Sequence, residues 1–95
     1  MYQLQDKPDG SITLKDGTEA TPIVTLKDEY GGISHIIEDD HCYVLVNGSA
    51  ERGFATVRHW YPEAVEALKT LPNPCYEVGM AFGNTNAIAR MTWAP

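Results

Sequence analysis

Short runs of alternating apolar and polar residues, separated by glycine, proline, asparagine or aspartate, recur along the chain, and that rhythm predicts strands. Tyr2 to Gln5 and Ile12 to Lys15 flank Lys7-Pro8-Asp9-Gly10. Proline fixes φ at about −65° and Asp-Gly tolerates positive φ, so this segment predicts a hairpin. Asp16-Gly17 predicts a second turn. Ile23 to Leu26 and Ile33 to Glu38 are expected strands on either side of Gly31-Gly32, the second with Ile33 and Ile37 on one face. Glu38-Asp39-Asp40 suits a turn better than a strand interior, so Cys42 to Val46 should fold back on Ile33 to Ile37 and stop at Asn47-Gly48. Tyr76 to Phe82 and Ala87 to Trp93, around Gly83-Asn84-Thr85-Asn86, predict a further hairpin.

One segment departs from period two. Over residues 62–71, Ala64, Val65, Leu68 and Leu71 form one stripe at helical spacing, and Pro62 suits a first turn because its missing N–H would have no partner there. Glu63 and Glu66 complement the positive end of such a helix, Lys69 the negative end, and Pro72 is a stop. Upstream, Phe54 to Trp60 reads as a strand entering the helix, since a continuous helix would set Pro62 against the Arg58 carbonyl at a cost of about 3 kcal/mol. The expected architecture is α+β: a mostly antiparallel sheet of five to seven short strands with one helix, about 62–71, packed on one face. A chain of 95 residues is expected to form a single domain over 1–95.

Composition changes this picture little. A hydrophobic fraction of 43% with 21% charged residues is that of a folded chain, not a disordered one. No apolar run approaches the roughly 20 residues needed to cross a bilayer, so no membrane association is expected. The first residues lack the basic start and apolar stretch of a secretory signal, which predicts a cytoplasmic protein. There Cys42 and Cys75 would be free thiols.

Charge changes the picture more. From Asp16 to Glu51 there are eight acidic residues and one base, Lys27, whereas the whole chain carries −6. A one-sign surface attracts basic partners and repels nucleic acid and anionic lipid, so direct nucleic-acid binding is disfavoured. The carboxylates group around expected turns, Asp28-Glu29 next to Tyr30, and Glu38-Asp39-Asp40 at a hairpin tip. If the fold sets both groups on one edge, they make an acidic docking surface. Trp60 and Tyr61, beside Arg52, Arg58 and His59, could add aromatic anchors or could pack in the core.

Candidate chemistry is thin. His35, Asp39, Asp40, His41 and Cys42 include zinc-ligand types without a recognised spacing, and the simpler reading is a half-exposed His35, a turn-flanking His41 and a small core thiol. Cys42 or Cys75 with His59, or Ser49 with His35, are pairs that any small chain with three histidines offers. Neither Gly31-Gly32 nor the stretch from Gly79 to Gly83 matches a phosphate-binding loop. No metal or cofactor is expected, and no stretch matches a family motif.

The sequence therefore predicts a small acidic binding protein that docks stoichiometrically on a basic protein, such as a nucleic-acid-binding one, and inhibits or modulates it. By class alone this is the type of accessory or inhibitory protein made by phages and mobile elements, including nucleic-acid mimics. The expected contact residues are Asp28, Glu29, Tyr30, Glu38, Asp39, Asp40, Trp60 and Tyr61. A self-assembling structural subunit, such as a phage particle component, is the first alternative, since exposed strand edges can pair between copies. A small enzyme or metal-binding protein using the cysteines and histidines is the second.

Overall fold

The structure is a computed structural model, and it describes residues 1–39, 42–57, 59–72 and 90–92. Strands β1 (Tyr2–Leu4), β2 (Ile12–Thr13), β3 (Glu19–Ala20), β4 (Val24–Asp28), β5 (Ile33–Asp39), β6 (Cys42–Ser49) and β7 (Gly53–Thr56) precede helix α1 (Pro62–Leu68), and β8 (Arg90–Thr92) follows it. The main sheet is antiparallel with strand order β1-β4-β5-β6-β7, and β8 also pairs with β6. A second, two-stranded sheet is made by β2 and β3. The fold is α+β with an antiparallel main sheet, as the sequence predicts.

Register sorts the side chains into two cores. Val24, Ile36 and Leu45 are aligned across β4, β5 and β6 and join Leu26, Tyr43, Trp60 and the α1 residues Ala64, Val65 and Leu68. The opposite face carries Ile37, Val44, Val46 and Phe54, and Ile12 of the small sheet packs on it. Because both faces of the central strands are covered, residues 34–37 and 43–46 are buried consecutively. Alternation disappears in such strands.

The helix forms where its stripe predicts. Pro62 restricts the preceding Tyr61 to extended backbone, φ −77° and ψ 160°, so the helix starts abruptly. It ends at Leu68, short of the expected residue 71, and a turn follows in which the Thr70 hydroxyl donates to the Ala67 carbonyl at 2.7 Å. Leu71 still packs against the core. The Tyr43 hydroxyl donates to the Pro72 carbonyl, tying β6 to the exit of the helix. The strand expected from Phe54 to Trp60 is present in its first part as β7, which ends at Thr56.

Two local expectations are corrected. The segment around Pro8 is not the turn of a hairpin: β1 pairs with β4, Leu4 opposite Leu26, while Ile12 crosses to the other core. Leu4 thereby meets Leu26, and Ile12 packs with Ile37, Val44, Val46 and Phe54. The acidic stretch also turns later than expected, since β5 runs through Asp39, which pairs with Cys42. Asp16-Gly17 does turn, joining β2 to β3: Gly17 has φ 92°, and the Asp16 carboxylate accepts from the Thr18 N–H at 2.9 Å and its hydroxyl at 2.6 Å. Those bonds hold the Asp16 carboxyl below its usual range. The expected strand from Tyr76 to Phe82, with its turn, lies outside the described residues, and β8 falls within the expected strand from Ala87 to Trp93.

Candidate functional site

The predicted acidic groups do not meet. Asp28, Glu29 and Tyr30 precede β5, whereas Glu38 and Asp39 close it, so at about 3.3 Å per residue the two groups are about 20 Å apart. Asp40 and His41 lie outside the described residues. The Asp28 Oδ1 accepts the Tyr30 N–H at 2.9 Å and the Gly32 N–H at 2.6 Å, so that carboxylate shapes its own turn. Tyr30 is 86% exposed. Trp60, by contrast, is 1% exposed and belongs to the helix-side core, which removes it as a partner contact.

Tyr61 is half-buried and stacks on Tyr2, ring centroids 4.5 Å apart. Burial pushes its hydroxyl pKa well above the usual tyrosine value. The Ser34 hydroxyl is close enough to temper that rise, although neither hydroxyl makes a well-formed hydrogen bond. Tyr61 therefore supports β1 from beneath and offers a partner little. Arg52 is exposed, as is His59, while Arg58 lies outside the described residues.

The metal and nucleophile candidates also disperse. Among the described residues, no three histidine, cysteine or acidic side chains converge. Cys42 is a partly buried free thiol, and Cys75 lies outside the described residues. Ser49 ends β6, where its Oγ accepts the Arg52 N–H at 3.1 Å. His35 is fully buried, not half-exposed as predicted, because Phe54 packs on its ring at 4.7 Å between centroids and the chain near Asp9 lies beside it. Its Nδ1 is 2.8 Å from the Thr25 Oγ1, which accepts the Asp9 N–H at 3.1 Å, and its Nε2 is 3.9 Å from the Asp9 carboxylate. Acid, imidazole and hydroxyl in sequence suggest a catalytic relay, but Thr25 and His35 are both 0% exposed and no substrate could reach them.

Charge and apolar surface do come together at β1. Between this strand and α1 lies a groove of about 430 Å³ with Tyr2, Leu4, Leu26, Pro62 and Ala67 along its walls and Glu63 and Glu66 beside them. Leu4 is 57% exposed there. Along the same strand, a second depression of about 470 Å³ is bordered by Gln3, Gln5, Asp6, Lys27, Asp28 and Glu29. Leu4 reaches both hollows. Lys27 pairs with Asp9 at 3.6 Å and Lys69 with Glu66 at 3.3 Å.

No family model matches the chain, and neither a curated protein nor a solved structure does. The surface around β1 is thus argued from its own chemistry. Two of its acidic residues, Asp28 and Glu29, were legible as candidates; Asp6, Glu63 and Glu66 were missed because they come from separate parts of the chain, gathered only by the pairing of β1 with β4. No helix among the described residues is long and apolar enough to cross a membrane.

Proposed function

We propose that this chain is a small binding protein that docks stoichiometrically on a basic protein surface, with the neighbourhood of β1 as its contact. The observation that carries the reading is the open apolar groove at Leu4 with carboxylates at both hollows along the strand, Glu63 and Glu66 at the groove and Asp6, Asp28 and Glu29 at the depression. Attraction between these carboxylates and lysines or arginines would raise the association rate, and burial of Leu4 would slow dissociation. A partner whose basic groove normally holds nucleic acid would be blocked while this chain occupied it.

Self-assembly through the same strand is less favoured. Pairing two β1 edges would bring like carboxylates together, which costs affinity in a way a basic partner avoids. The experiment is capture of partners by the purified protein at low salt and at about 0.5 M salt, followed by identification of what is retained. A basic protein retained at stoichiometric amounts and released by salt supports the reading. Retention insensitive to salt, or a stable homo-oligomer with no basic partner, would remove it.

A further inference from the structure

Among the described residues the outer edge of β1 is open. No strand among them pairs with it, whereas across the sheet Leu14 bridges Phe54 of β7 and the Lys15 N–H donates to the Phe54 carbonyl at 2.9 Å. Register identifies the groups that β1 offers. The Gln5 N–H donates to the Thr25 carbonyl at 2.9 Å, and in an antiparallel ladder alternate residues point the same way. Gln3 and Gln5 therefore face β4, leaving the N–H and C=O of Tyr2 and Leu4 directed away from the sheet.

The two faces of this edge differ in chemistry. Tyr2 and Leu4 border the apolar groove against α1, while Gln3 and Gln5 border the depression that contains Asp6, Glu29 and Lys27, the last paired with Asp9. A strand laid along β1 would send alternate side chains to the same two places. We infer that β1 takes an extended segment of its partner as an additional strand, with apolar residues entering the groove beside Leu4 and alternate lysines or arginines facing Asp6 and Glu29. This inference rests on the reading of a basic partner and specifies the shape in which that partner presents itself. Main-chain bonds to Tyr2 and Leu4 give the affinity, and the alternation gives the specificity. A second copy of the chain is a poor occupant, because the same carboxylates lie beside its own β1.

The test uses a labelled peptide of sequence Lys-Val-Lys-Leu-Lys-Val-Lys and two N-methylated forms, one methylated on the apolar residues and the other on the lysines. All three carry the same charge, and in strand addition only one set of amides faces the edge, the orientation of the peptide deciding which. One methylated form should bind at least about 10-fold more weakly than the other, as expected when main-chain bonds are lost. Amide exchange at Leu4 should slow by at least about 10-fold in the complex with the unmethylated peptide. A smaller ratio between the methylated forms, unchanged exchange at Leu4, or no binding of the unmethylated peptide overturns strand addition. If the salt-released partner of the capture experiment persists in that case, the basic-partner reading stands without it; if both fail, the reading fails as well.

Discussion

The Thr25 hydroxyl and the His35 Nδ1 lie 2.8 Å apart, on residues directly opposite each other in β4 and β5, with both side chains fully buried. The Thr25 oxygen also accepts the Asp9 N–H at 3.1 Å, so Thr25 links Asp9 to His35, whose Nε2 faces the Asp9 carboxylate at 3.9 Å. The pair fastens the segment after β1 to the sheet. It is a structural clasp behind the proposed contact strand.

Burial favours the neutral imidazole in that clasp. Burial lowers the His35 pKa from its ordinary 6.5; Asp9 opposes this and Lys27 reinforces it. The folded state then binds fewer protons than the unfolded one below about pH 6.5, so the contribution of His35 is complete at neutral pH and is lost as pH falls. Urea denaturation at about pH 7.5 and pH 5 should give a drop in wild-type stability that is smaller in His35→Gln. An equal drop in both proteins would remove His35 as its source.

A second prediction concerns the corner where β6 meets β7. Gly48 has φ 153°, and a Cβ built there would lie 2.1 Å from the Gly53 carbonyl oxygen, a backbone atom that cannot swing aside. Gly48→Ala should cost at least about 2 kcal/mol. Gly10→Ala, with nothing within 4 Å of its Cβ, should stay within about ±0.5 kcal/mol. Thermal melting of the two variants checks the contrast.

Aromatic residues divide equally sharply. Trp60→Ala, at a site 1% exposed among the helix-side core residues, should destabilise the fold by about 3–5 kcal/mol. Tyr30→Ala, 86% exposed at its turn, should change stability by no more than about 0.5 kcal/mol. If Trp60→Ala melted like the wild type, the assignment of the indole to the core would be wrong.

Local chemistry was legible in the sequence where local chemistry decides structure. Pro62 and the stripe of Ala64, Val65 and Leu68 announce the helix, and Asp16-Gly17 announces its turn. The partner of β1 was not legible, because Tyr2 and Leu4 answer to Leu26 and Tyr61, whose approach is a property of the sheet order. His35 was misjudged for a related reason. Alternation around it suggests one wet face, but Phe54, from a later strand, and the chain near Asp9 cover that face. The candidate site follows the same rule, with Asp28 and Glu29 visible as a pair in sequence and Asp6, Glu63 and Glu66 joining them only in three dimensions.

The most direct measurement compares charge reversal at the two ends of β5, reading the affinity for the salt-released partner by calorimetry. Asp6→Lys combined with Glu29→Lys, beside β1, should weaken binding by at least about 10-fold, while Glu38→Lys combined with Asp39→Lys should change it by less than about threefold. The Asp6 and Glu29 variant should melt within a few degrees of the wild type, since exposed charges contribute little to stability. Loss confined to the Glu38 and Asp39 variant, or equal loss in both, would contradict the assignment of the contact to the edge of β1.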